Sequence, residues 1–142
     1  MKLWLLALLV ICSIAKAQTV SPLVAECGLK CRGDFTITNN SVKPVVAVIT
    51  PYSFKVVNKK VQLLAIDKDT TVQLDATSAR ISPQGSRTIS YKIFCAKEPC
   101  RTQLVAGFLA GKTSDGIEVW LKIPHSVYSC QKQKNCREKA LQ

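Results

Sequence analysis

A chain of 142 residues, 47% hydrophobic and 20% charged, is too apolar for a disordered polymer and has room for one sizeable core but not for two ordinary domains. Twenty Lys and Arg against nine Asp and Glu give a formal charge of +11, which favours anionic partners or plain solubility and says nothing of fold. With a single histidine, histidine-pair metal sites are excluded.

The amino terminus reads as a processing segment. Lys2 leads into an apolar run from Leu3 to Ile14, and Ala15-Lys16-Ala17 has the small-x-small pattern of signal cleavage before Gln18. That run is 12 residues long, short of the roughly 20 that a spanning helix needs. A lipid anchor at Cys12 is disfavoured by the bulky Val10 and Ile11 before it. Residues 1–17 are expected to be removed, which leaves 125 residues (142 minus 17) as one domain and, without Lys2 and Lys16, lowers the charge from +11 to +9.

Beyond Gln18 the chain alternates as strands do and shows no sustained helical period. Asp34 to Thr38 alternates and meets Asn39-Asn40-Ser41, where Asn side chains can bond their own backbone in a turn. Pro44 then opens an apolar run from Val45 to Ile49. Val61 to Ile66 and Thr70 to Leu74 flank Asp67-Lys68-Asp69, read as a hairpin tip, because the other oxygen ligands of a calcium loop are missing. Ala79 to Ser82 is a short edge, Pro83-Gln84-Gly85 a turn, and Arg87 to Cys95 a strand through Ile89, Tyr91 and Ile93. Leu104 to Ala110 and Ile117 to Ile123 follow, joined across Gly111 to Gly116. Seven to eight short strands separated by turn residues predict an all-β, immunoglobulin-like β-sandwich over residues 18–130. Residues 131–142 form a basic, cysteine-containing tail, with Lys132, Lys134, Arg137 and Lys139.

Six cysteines remain after processing, an even number in an exported chain, and predict disulfides. They fall into three near pairs, Cys27 with Cys31, Cys95 with Cys100, and Cys130 with Cys136. Local pairing is one reading; a bridge from Cys95 or Cys100 to Cys130, tying neighbouring strands, is the other. The spacing suits zinc poorly, and no cofactor or metal is expected.

In the last strand, Ile117, Val119, Leu121 and Ile123 alternate with Glu118, Trp120, Lys122 and Pro124. An alternating row of this kind either completes the protein's own core or is offered to another protein. Both readings stand on the sequence.

Three stretches in order resemble the amino-terminal domain of the PapD-like periplasmic pilus-assembly chaperones: FTITNNSVKPVVAVI (35–49), ARISPQGSRTISYKI (79–93) and GIEVWLKIPHSVYSC (116–130). The resemblance implies a PapD-like sandwich that lends an edge strand to an incomplete subunit of a surface structure, a form of strand addition. It also implies that Ile117, Val119, Leu121 and Ile123 are the lent row, and that Lys122 or His125 holds the partner's terminal carboxylate. Lys122 suits that role better, since an unperturbed His is mostly neutral at pH 7. Members of the family carry a second immunoglobulin-like domain after the last strand, where this chain has the short tail. Their cleft arginine on the first strand has no counterpart between Gln18 and Glu26.

No catalytic constellation is visible. A Ser-His or Cys-His pair would have to involve His125, which is read as a surface or loop residue, and oxidised cysteines leave no thiol nucleophile. No nucleic-acid motif is present. Asn39-Asn40-Ser41 matches a glycosylation sequon, relevant where export passes through an endoplasmic reticulum. Trp120 beside Lys122 is either a recognition spot or an ordinary sheet aromatic. The function expected is therefore an exported, periplasmic or secreted, non-enzymatic protein that binds surface-structure subunits along a sheet edge. The alternative is an envelope-associated immunoglobulin-like module whose basic surface contacts anionic polymer or membrane.

Overall fold

The computed structural model describes residues 18–112, 114–131 and 136–137. The expected signal segment 1–17, with Cys12, and most of the tail lie outside the described residues. Ten strands follow one another: β1 Thr19–Ser21, β2 Val24–Cys27, β3 Lys30–Thr38, β4 Val45–Val57, β5 Lys60–Leu64, β6 Thr70–Leu74, β7 Ser78–Ile81, β8 Ser86–Cys95, β9 Cys100–Lys112 and β10 Glu118–Ser129. They form a four-stranded sheet in the order β1, β3, β8, β6 and a second sheet in the order β2, β10, β9, β4, β5, with β7 also paired to β4. The architecture is the predicted immunoglobulin-like sandwich.

The two-residue period of the sequence builds the core directly. Along β8, Ile89, Tyr91, Ile93 and Cys95 are buried while Ser90, Lys92 and Phe94 face out. Phe35 and Ile37 of β3 lie beside them, and Ala47, Ile49, Leu104, Ala106 and Phe108 close the layer from the other sheet. Burial of such side chains stabilises by about 1.5–3 kcal/mol each, before the entropy of ordering the chain is subtracted. A smaller cluster joins Phe54 and Tyr128, packed edge-to-face at 5.5 Å, to the buried Cys136 of the tail.

Four features depart from the sequence reading. The strand count is higher because β1 and β2 are short pieces split by Pro22, too short for a periodic signal. Asp67–Asp69 is no hairpin tip: β5 pairs with β4 and β6 with β8, so this segment crosses between the sheets. The hairpin lies earlier, at Asn58 and Lys59, whose φ values of 49° and 62° suit the mirror-image turn that matches strand twist. It was hidden because β4 runs on through Pro51. Residue 49 donates its N–H toward the β7 side, to Thr77 O, so position 51 faces the same way, into the gap where β4 changes partner from β7 to β5. A missing N–H costs nothing there. Finally, β10 continues beyond Ile123 to Ser129.

All three disulfides are local: Cys27–Cys31, Cys95–Cys100 and Cys130–Cys136, with Cα separations of 5.5, 6.2 and 5.9 Å. Asn39 does not present its amide to solvent. The side chain is fully buried, its Nδ2 donates to the carbonyls of Lys43, Ile81 and Ser82, and its Oδ1 accepts from the backbone N–H and hydroxyl of Ser41. It fastens the β3–β4 turn to the end of β7, and in the folded chain no glycosyl transfer can reach it.

Candidate functional site

The site is built from one strand and the chain that half covers it. β10 pairs with β9 over its whole length, from Glu118 opposite Lys112 to Ser129 opposite Cys100. On its other side it pairs with β2 only at Ser126–Ser129, in parallel. Among the described residues, no strand pairs with that second flank along Glu118–Pro124.

The side chains grade along the strand. Val119, Leu121, Ile123, His125 and Val127 alternate onto one face of β10, with the pairing to β9 shifting register between Val119 and Trp120, and Ile117 precedes the strand. His125 and Val127 are fully buried, Leu121 and Ile123 are half-buried against the core, and Val119 and Ile117 are 49% and 62% exposed. The row thus fills the core at one end and runs out of it at the other. On the opposite face Trp120 is 48% exposed and Lys122 is exposed, both lining a shallow groove floored by Val105 and Gly107. Lys112 and Glu118 close the far end as an exposed ion pair at 3.2 Å, an arrangement worth little in stability.

Backbone direction follows from one bond. Ser126 donates its N–H to Leu23 O, toward the β2 side. Because strand amides alternate sides, Trp120, Lys122 and position 124 also face the open flank, and Leu121 and Ile123 face β9. Pro124 therefore places its missing N–H on the unpaired side, where it disrupts no ladder bond and marks where further pairing stops. Trp120 and Lys122 keep both an N–H and a C=O directed outward.

His125 is not the surface or loop residue that the sequence suggested. Its Nδ1–H donates to Pro22 O at 2.6 Å, its Nε2 accepts from the Tyr91 hydroxyl at 3.0 Å, and its ring stacks on Phe35 at 5.0 Å. Burial holds the imidazole below its ordinary pKa, with the Pro22 bond acting in the opposite sense. The Tyr91 hydroxyl is pushed up, first by burial and then by the Asp34 charge. The ring thus ties β10 to β8 and to the crossover between β1 and β2, and it reaches no solvent at which to touch a partner carboxylate. Sequence reasoning missed it because a lone His in an alternating row carries no mark of burial.

No protein-family model and no curated protein sequence matches the chain. Solved structures do. The chain is similar to SSP-19, an MSP-domain protein like family member of Caenorhabditis elegans, at 12% identity and a TM-score of 0.55, covering 79% of this chain and 98% of that one. It is similar to the class 5 fimbriae chaperone CfaA at 11% identity and a TM-score of 0.59, covering 82% of this chain and 57% of CfaA. It is also similar to a chain of the CsuC-CsuE chaperone-tip adhesion subunit pre-assembly complex of Acinetobacter baumannii, at 10% identity and a TM-score of 0.58, covering 87% of this chain and 66% of that one. At such identities the likeness is one of fold, the PapD-like sandwich.

Proposed function

We propose that this protein binds an extended segment of another protein by adding it as a strand along the open flank of β10, and that it serves as an exported accessory in assembly of a surface structure. The observation that carries the reading is the flank at Trp120–Lys122, with outward amides and an apolar row that leaves the core. Unpaired apolar edges are normally blunted unless used. The added strand supplies backbone hydrogen bonds, and Val119 with Ile117 supplies apolar contact. Leu121 and Ile123 stay with the core and hold the strand in register. Lys122 is the cation that meets a partner carboxylate, and His125 acts from within as a positioning residue. Likeness in fold to fimbrial chaperones supports the reading, and three disulfides suit an oxidising compartment outside the cytosol.

Two proline substitutions test it. Lys122→Pro removes an outward N–H, so the protein folds as Pro124 already allows, yet capture of its envelope partner through a cross-linker at Val119 is lost. Ile123→Pro removes an N–H directed at β9, breaking a ladder bond, and is expected to destabilise the domain strongly where Lys122→Pro does not. Undiminished capture by Lys122→Pro would show that backbone pairing on this flank is not the mode of binding.

A further inference from the structure

The outer face of the four-stranded sheet carries an arrangement that strand addition at β10 does not use. Lys30 and Arg32 of β3 and Lys92 and Phe94 of β8 point outward, Arg32 opposite Lys92 and Lys30 opposite Phe94. On the third strand, Gln73 stands opposite Lys92 and Thr71 opposite Phe94. Side chains directly opposite have Cβ atoms about 4.5–5.5 Å apart, and like charges there are destabilising. Steps of two along a strand are about 7 Å.

Three cations and a 46% exposed phenylalanine therefore occupy one rectangle. None of the three forms an ion pair among the described residues, where the pairs are Lys97–Asp69 and Lys112–Glu118. Asp34 and Asp75 stand one step further along their strands, where they share the lining of a hollow with Arg32, Gln73 and Lys92, and Asp75 is engaged by the N–H of Ser90 at 3.0 Å. They bound the cationic patch on one side.

We propose that this face binds an acidic polysaccharide, with sulfate or carboxylate groups held by Arg32, Lys92 and Lys30 and a sugar ring laid on Phe94. An anion placed between Arg32 and Lys92 turns their mutual repulsion into attraction. Arg32 offers a planar fork suited to oxyanions. Gln73 and Thr71 supply donors and acceptors for sugar hydroxyls. One aromatic on a sheet face lacks the apolar wedge that a lipid surface would require, and three disulfides suit a compartment outside the cytosol, away from nucleic acid. The face lies on the sheet opposite β10, so glycan and protein partner bind together.

The test is titration of the full chain with heparin oligosaccharides, which carry sulfate, and with polygalacturonate, which carries carboxylate alone. Arg32→Thr with Lys92→Thr is expected to weaken the preferred glycan at least about tenfold, the loss of charge-assisted contacts, and to unfold at no lower temperature than wild type. Lys55→Thr with Lys60→Thr, an equal charge loss on the β4–β5 hairpin, is expected to change affinity less than about twofold, since exposed charges beyond a Debye length are screened. Phe94→Thr is expected to weaken binding about threefold with the salt dependence unchanged. Equal losses in the two double variants would overturn the proposal. So would the absence of binding to both glycans, or tighter binding, through the same residues, of an oligodeoxythymidine or of phosphatidylglycerol vesicles.

Discussion

Replacing His125 with Leu should cost about 3 kcal/mol. Two hydrogen bonds are lost, each worth about 1 kcal/mol net, and the Tyr91 hydroxyl, on a residue only 3% exposed, is left without its partner, a further penalty of about 1–3 kcal/mol. Pro22 O is only part-buried and can turn to water, which keeps the sum near the lower end. Against a domain stability of about 5–15 kcal/mol this is a large fraction. The same residue makes stability depend on pH. The unfolded chain protonates His125 near pH 6.5, whereas the folded chain, with the pKa lowered by burial, does so only at lower pH. Between those points the unfolded state binds more protons, so stability falls as pH falls below 6.5, by up to about 1.4 kcal/mol per unit from this group. Urea unfolding of wild type and His125→Leu at pH 8, 6.5 and 5 reads both effects: the variant starts lower and loses less on acidification. A variant within about 0.5 kcal/mol of wild type, or parallel pH curves, would show that His125 makes no such buried bonds.

Two other substitutions probe the packing behind the flank. A Cβ on Gly33 would meet Tyr91 Oη at 2.5 Å, so Gly33→Ala is expected to cost about 1–3 kcal/mol by overpacking and to disturb the His125 resonances; unchanged stability and spectra would contradict the contact. Asn39→Ala removes the clamp between the β3–β4 turn and β7 and is expected to cost about 2–4 kcal/mol in urea unfolding. Mass spectrometry of protein secreted from eukaryotic cells should find Asn39 without glycan on the folded fraction, and stoichiometric glycan there would contradict its burial.

Much of the fold was legible because most strands have one wet and one dry face. Thr70–Leu74 and the stretch through Ile89, Tyr91 and Ile93 alternate so regularly that their ends coincide with observed strands to within a residue. The cysteine spacing showed three near pairs but left the bridge to Cys130 open, since proximity in sequence does not say which ends meet. What stayed illegible was tertiary. The crossing of Asp67–Asp69 between sheets and the hairpin at Asn58-Lys59 differ only in where a long strand changes neighbours. Val119 and Ile123 look alike in the sequence; their exposure differs because the β10 row outruns the core. Pro124 reads as a strand end, whereas its missing N–H merely faces outward. The position of His125, sealed between Phe35, Tyr91 and Pro22, follows from two crossing segments far apart in the chain.

The most direct measurement of an open flank on β10 is residue-resolved amide hydrogen exchange of the free protein and of the protein with its captured partner. Fast exchange is expected at Trp120 and Lys122 and slow exchange at Leu121 and Ile123 in the free chain, with Trp120 and Lys122 becoming protected in the complex. Equal protection of all four amides in the free protein, or no change at Trp120 and Lys122 on binding, would contradict an open flank that takes up the partner.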